Sequence, residues 1–124
     1  MKKLFWSYST ILVLLAVLPI NGSESVINNT YFVEIRLDYL IHFAVYLPWM
    51  FLLRLFTGFT FKNNLPGTMF MIFVGLVFAL SNEFVQYLLP YRAFNINDLL
   101  ANCMGIVMGA VVFFIPKPVT PSEQ

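Results

Sequence analysis

The sequence predicts an all-α membrane protein, a bundle of four transmembrane helices with both termini in the cytoplasm. Of its 124 residues, 60% are hydrophobic and only 10% are charged, whereas soluble domains are about half apolar and a quarter charged. The apolar residues form four long stretches, and most charges lie between or at the ends of these stretches. A soluble chain this short could not bury so much apolar surface, because small domains expose a large share of theirs.

Charge and cysteine content exclude other classes of protein. A net charge of +1 provides no basic surface for a phosphate backbone, so no nucleic-acid partner is expected. The single cysteine, Cys103, can form neither an internal disulfide nor a zinc cluster. No motif for a cofactor or a metal ion is present, so neither is predicted. We therefore expect one membrane domain over residues 1–124, rather than a soluble enzyme or a disordered tail.

The predicted spans are residues 4–20, 38–57, 67–89 and 98–115. At helical rise they are roughly 26 to 35 Å long, against about 30 Å of hydrocarbon in a bilayer. The first span also resembles a signal peptide, but no small-residue cleavage site follows it, and cleavage would leave an odd number of spans. Pro48 is expected to kink the second span. The proline-rich tail, 116–124, is expected to be disordered.

Basic residues predict the orientation, because loops rich in lysine and arginine stay in the cytoplasm. With the N-terminus inside, the cytoplasmic side holds Lys2, Lys3, Arg54, Lys62 and Lys117. The outer side then holds only Arg36 and Arg92. The chain is therefore expected to cross a membrane several times, with both termini on the cytoplasmic side.

The last three spans each carry small or polar residues at helical spacing on one face. These residues are Asp38, His42, Tyr46 and Trp49; then Gly75, Ala79, Glu83, Gln86 and Tyr87; then Asp98, Ala101, Asn102, Gly105 and Gly109. Lipid offers such residues no partner, so the three faces should turn toward one another. The small residues Ala101, Gly105 and Gly109 suit close packing within the chain, and equally the interface of a homo-oligomer.

The ionisable residues of these faces all lie near the outer ends of their spans, with Glu83 roughly 10 Å deep. Charged groups in lipid are costly and often functional, so we predict an outward-opening polar pocket. Its candidate ligand-binding residues are Arg36, Asp38, His42, Glu83, Gln86, Arg92, Asp98 and Asn102. Structural roles compete with this interpretation. Asn97 could cap the fourth helix with Asp98 beside it, the arginines could meet lipid phosphates, and the others could bond between helices.

Three segments resemble the VanZ-like family of small bacterial membrane proteins. Asp38-Tyr-Leu-Ile-His42-Phe-Ala-Val-Tyr46 is similar to its D-K-x-x-H-F-x-x-Y segment. Glu83-Phe-Val-Gln86 with Pro90-Tyr-Arg92 is similar to E-x-x-Q…P-x-R, and residues 98–109 are similar to D-x-x-x-N-x-x-G-x-x-x-G. The chain departs at Tyr39, where the family usually has lysine. If that lysine serves a headgroup phosphate or pairs with an acid, either Arg36 must replace it or the ligand differs.

The resemblance implies a membrane protein of unsettled molecular activity, whose founding member is associated with low-level teicoplanin resistance. We expect the pocket to bind the headgroup of an envelope lipid or lipid-linked precursor, or a lipoglycopeptide, with the ligand's chain along phenylalanine-rich flanks. The alternative is an enzyme acting on such a lipid, with Glu83, His42 and Asp98 as candidate catalytic residues. A proton or solute pathway is a third hypothesis, but the inner half of the bundle lacks matching polar residues.

Overall fold

A computed structural model describes residues 2–18, 31–32, 35–58 and 65–114. It contains four helices: α1, Lys2–Val17; α2, Leu37–Thr57; α3, Leu65–Tyr87; and α4, Ile96–Phe114. The all-α prediction is therefore confirmed for this part of the chain. The tail predicted to be disordered, 116–124, lies outside the described residues.

The helices differ in how well their length suits a membrane. Among the described residues, α2 and α3 are each long and apolar enough to cross a bilayer. The apolar part of α4, Ile96–Val112, is shorter, and α1 has 16 residues. Large apolar side chains cover the outside of the helices: Trp6, Phe70, Phe73, Phe84 and Met104 are each more than half exposed. This surface is suited to lipid.

A short hairpin precedes α2 in a segment that the sequence predicts only as a loop. Strand β1, Tyr31–Phe32, pairs antiparallel with β2, Ile35–Arg36. Strand β2 continues directly into α2, so Arg36 is the N-cap residue of the helix, with extended backbone and no side-chain cap bond. The hairpin thereby holds Arg36 at the mouth of the bundle.

The helix ends correct one expectation from the sequence. Asn95, rather than Asn97, caps α4. Its side-chain Oδ1 accepts a hydrogen bond from the backbone N–H of Asn97 at 3.0 Å, and its carbonyl accepts one from Leu99 at 3.1 Å.

Gly58 ends helix α2. It adopts φ +66°, a conformation in which glycine is favoured, and its N–H donates to the backbone carbonyl of Arg54. Helix α2 continues through Pro48 without a break.

Glycines let α4 pack directly on the backbone of α2. A Cβ on Gly105 would lie 2.4 Å from the carbonyl oxygen of Phe43, and a Cβ on Gly109 would lie 2.7 Å from that of Leu47. This contact uses the small-residue face of α4 within the chain, as the packing alternative predicts. A homo-oligomer formed through Ala101, Gly105 and Gly109 would have to displace α2.

The first half of α1, which faces the cytoplasm in the predicted orientation, is held against α2 by two hydrogen bonds and a ring contact. The indole N–H of Trp49 donates to the Ser9 hydroxyl at 3.0 Å, and the Tyr8 hydroxyl donates to the carbonyl of Val45 at 2.8 Å. The ring of Phe5 stacks on Phe56. The core beneath α1 is centred on Trp49, Met50 and Ile106, each at most 2% exposed.

Candidate functional site

Three buried polar side chains from three helices meet near the ends predicted to face outward. Glu83 of α3 is 0% exposed, Asn102 of α4 is 1% exposed and Asp38 of α2 is 2% exposed. Burial of polar groups in an otherwise apolar bundle requires that they bond to one another or serve a ligand. Their bonding pattern therefore indicates which of them are available.

Asn102 links His42 to Glu83. Its side-chain Nδ2 donates to Glu83 Oε1 at 3.1 Å, and its Oδ1 lies 3.0 Å from His42 Nδ1. Because this oxygen can only accept, the assigned amide orientation requires the proton on Nδ1 of His42. One amide therefore joins α2, α3 and α4 and places a proton on Nδ1 of His42.

The other ring nitrogen of His42 faces a second acid. Its Nε2 lies 3.8 Å from Asp98 Oδ2, which is within ion-pair range but too long for a hydrogen bond. The structure thus brings together four of the candidate residues in the order Asp98, His42, Asn102 and Glu83. This includes all three of the candidate catalytic residues.

Four buried polar atoms in this region have no hydrogen-bond partner among the described residues. They are two acceptors, Glu83 Oε2 and Asp98 Oδ1, and two donors, the Nε atoms of Arg36 and Arg92. Gln86 is 5% exposed and also lies on the cavity wall described below. Unpaired buried polar atoms cost about 1–3 kcal/mol each unless water or a ligand meets them.

Arg36 pairs with Asp38 at the mouth of the bundle. Its Nη2 lies 2.6 Å from Asp38 Oδ2, and its guanidinium lies 4.8 Å from the centre of the Tyr39 ring. Burial lowers the pKa of Arg36, but the Asp38 carboxylate outweighs this effect and raises it overall. Arg36 thus places a cation beside the acid at the start of α2.

Arg92, the other arginine among the candidate ligand-binding residues, bonds to the end of α1. Its Nη2 donates to the carbonyls of Leu15 and Leu18, and the neighbouring Tyr91 hydroxyl donates to the carbonyl of Val17 at 2.8 Å. Cations suit the carbonyl end of a helix, so the α3–α4 connection holds the end of α1. Burial lowers the pKa of Arg92.

Sequence reasoning missed one buried polar residue and misplaced one aromatic residue. Asn82 is 5% exposed, and its amide donates to the Tyr46 hydroxyl at 2.6 Å. Tyr87, which helical spacing placed on the polar face, is instead 62% exposed. The signal for Asn82 was present, because it lies three residues after Ala79 and four before Gln86.

A cavity of about 120 Å³ lies beside the network. Its polar wall comes mainly from α2, α3 and α4, and its apolar wall from α1 and the facing side of α2. The lining residues are Leu12, Leu15, Ala16, Asp38, Ile41, His42, Val45, Tyr46, Asn82, Glu83, Gln86, Arg92 and Asn102. Of the eight predicted ligand-binding residues, Asp38, His42, Glu83, Gln86, Arg92 and Asn102 line the cavity. The other two residues do not line the cavity but contact residues that do: Asp98 lies beside His42, and Arg36 pairs with Asp38.

The comparisons with known proteins give one match. A family model described as VanZ/LLP1 matches residues 4–117, which is nearly the whole chain. No curated protein and no solved structure matches. Within the described residues, no group of three or more histidine, cysteine or acidic side chains is arranged to hold a metal ion.

Proposed function

Because the chain belongs to the VanZ/LLP1 family, we propose that it is a multi-pass protein of the bacterial cytoplasmic membrane whose outward-opening cavity binds the polar head of an envelope lipid or lipoglycopeptide. Sequestering such a molecule would give the cell tolerance to teicoplanin-like glycopeptides. The proposal goes beyond family membership, and it depends on how the polar groups around the cavity are paired.

The observation that carries the proposal is the Glu83 carboxyl group. It is 0% exposed, it lies on the cavity wall, and its Oε2 has no partner among the described residues. Its other oxygen is held by Asn102, so the group is oriented. An oriented, desolvated acid beside a cavity is a typical arrangement for ligand recognition.

The unpaired atoms also indicate the chemistry of the head. Glu83 and Asp98 each offer a carboxylate oxygen, whereas Arg36 and Arg92 each offer an Nε–H. Of these residues, Glu83 and Arg92 line the cavity. A head that fits both carries a donor for the carboxyl group, such as a hydroxyl or amine, and an acceptor for the guanidinium, such as a phosphate or carboxylate oxygen. Glycolipids, phospholipids and lipoglycopeptides all combine such groups.

Glu83→Gln is expected to weaken this binding about ten- to a hundredfold without unfolding the bundle. Glutamine retains an oxygen for Asn102 but removes the acid, and a hydrogen bond to a charged group contributes about 1.5–3 kcal/mol, equivalent to roughly ten- to a hundredfold in affinity. We would measure teicoplanin susceptibility in a sensitive host at matched membrane levels, together with the lipids that copurify with the protein.

The matched control is Ser81→Ala, which changes an exposed polar residue of the same helix whose hydroxyl bonds only to Val77. Unchanged susceptibility and unchanged bound lipid in Glu83→Gln would refute the proposal. A modified lipid that accumulates with the wild-type protein and disappears in Glu83→Gln would instead identify an enzyme.

The orientation with both termini inside is part of the proposal, and cysteine labelling tests it. Cys103 is the only cysteine, so Cys103→Ala provides a cysteine-free background for adding Lys3→Cys or Ala93→Cys, both at exposed positions. A membrane-impermeant thiol reagent should label position 93 in intact cells or spheroplasts, and position 3 only after permeabilisation. The reverse pattern would place the cavity on the cytoplasmic side.

A further inference from the structure

We propose that the ligand is an amphiphile whose hydrocarbon chain enters the cavity from the bilayer, through a window between α1 and α2. We define the α1–α2 window by its lining residues Leu12, Leu15, Ile41 and Val45. This inference rests on the proposed function, since it adds the route of entry and the tail to a site that was described by its polar head. Three observations support it.

The two walls of the cavity differ in chemistry. Glu83, Gln86, Asn82 and Asn102 lie on one wall, whereas α1 contributes only Leu12, Leu15 and Ala16, and α2 adds Ile41 and Val45. Apolar side chains cannot satisfy a polar head, but they favour a hydrocarbon chain by about 0.8 kcal/mol for each buried CH₂ group. One cavity therefore offers complementary surfaces to both parts of an amphiphile.

The apolar wall reaches the outside of the bundle. Leu15 and Ile41 line the cavity, and each is nevertheless 41% exposed. The polar residues on the opposite wall are almost completely buried, with Glu83 at 0% and Gln86 at 5%. The side chains of the window therefore separate the cavity from the surface that faces lipid, and this surface is apolar.

Helix α1 is fastened on both sides of the window but not across it. In its first half, Tyr8 and Ser9 bond to Val45 and Trp49 of α2. At its end, the carbonyls of Leu15, Val17 and Leu18 accept from Tyr91 and Arg92 of the α3–α4 connection. Among the described residues, no hydrogen bond joins α1 to α2 beyond Ser9. Only apolar contacts need to part for a chain to pass.

This route differs from the sequence expectation that the chain lies along phenylalanine-rich flanks, because the window contains leucine, isoleucine and valine. It predicts that a tail is required for tight binding. An acylated glycopeptide and a phospholipid both meet this requirement, and a soluble glycopeptide without an acyl chain does not. The test distinguishes the acylated glycopeptide from the phospholipid by using each as a separate probe.

The test is photolabelling in nanodiscs of phosphatidylcholine, which carries neither of the two phospholipid heads under test. One sample contains a trace of phosphatidylethanolamine with a diazirine near the end of one acyl chain. A second contains phosphatidylglycerol with the diazirine at the same place, and a third contains teicoplanin with a diazirine in its acyl chain. At least one probe should label 12–16 or 41–45 saturably. Its unlabelled counterpart should compete, and a glycopeptide lacking the chain should not.

Ile41→Trp and Leu15→Trp are expected to reduce this labelling about tenfold by filling the window. Leu14→Trp is the control, because Leu14 is 54% exposed and does not line the cavity. If Glu83→Gln reduces labelling but both window variants label normally, the window is refuted and the proposed function stands. If Glu83→Gln also labels normally, the proposed function itself fails. Saturable labelling confined to helix faces away from the window would likewise refute the route.

Discussion

Gly105→Val is expected to destabilise the bundle strongly, because this position has no room for a side chain. Even the first carbon of a side chain at this position would lie 2.4 Å from the carbonyl oxygen of Phe43 and 3.1 Å from Cβ of Tyr46. Helices α2 and α4 must then move apart, because a backbone carbonyl cannot rotate away as a side chain can. Overpacking of this kind costs about 1–3 kcal/mol, and we expect the upper end of this range.

Denaturation in detergent, followed by the fluorescence of Trp49, measures the effect. Trp49 is 2% exposed, and a Trp6→Phe background removes the other tryptophan. Met104→Val is the control, since Met104 adjoins Gly105 in sequence but is 64% exposed. We expect a clearly earlier transition for Gly105→Val, a smaller shift for Gly105→Ala, and almost none for Met104→Val. Coincident curves for all four proteins would show that α2 and α4 do not pack through Gly105.

The second large effect is expected for Asn102→Leu, which should both weaken the fold and eliminate binding. Leucine removes the bonds to His42 and to Glu83, so both partners lose their only short contact within the network. Hydrogen bonds between membrane helices contribute about 0.6–1.7 kcal/mol each, and stranded buried partners add to the loss. A destabilisation of about 1–4 kcal/mol is therefore expected, together with loss of the oriented Glu83 carboxyl group.

Two measurements separate these consequences. Detergent denaturation gives the change in stability, and copurified lipid at a temperature where the variant is fully folded gives the change in binding. Asn97→Leu is the control, because Asn97 is exposed and its side chain bonds only to the Tyr39 hydroxyl, at 3.3 Å. If folded Asn102→Leu retained its lipid, Asn102 would not orient the binding group, and the site would need to be assigned elsewhere.

Both substitutions disturb the close contact between α2 and α4, each in a different way. Asn102 and Gly105 lie on the same face of α4, one turn apart, where Gly105 contacts the backbone of α2. Side chains as short as asparagine and histidine can bridge two helices only where the backbones approach closely. The glycines of α4 therefore do more than stabilise the bundle, since they bring His42 within 3.0 Å of Asn102.

Local features of the sequence were sufficient to predict the helices and most of the polar residues that line the cavity. Apolar stretches bounded by polar segments predict helices, and the spacing of Asp38 and His42, or of Asp98 and Asn102, places each pair on one helix face. The family motifs carry the same residues. These inferences require only properties that repeat along one helix, which is why they could be made without coordinates.

Only the tertiary structure decided which polar groups are satisfied and which remain available. Arg36 and Arg92 look equivalent in the sequence, yet one pairs with Asp38 and the other holds the end of α1. The partner of Glu83 is the amide of Asn102 and not a charged residue. Leu15 and Ile41, which are far apart in the sequence, both line the cavity. Such pairings depend on the rotation and separation of helices to within about 1 Å, because hydrogen bonds form only over a narrow range of distances. No pattern along a single helix contains that information.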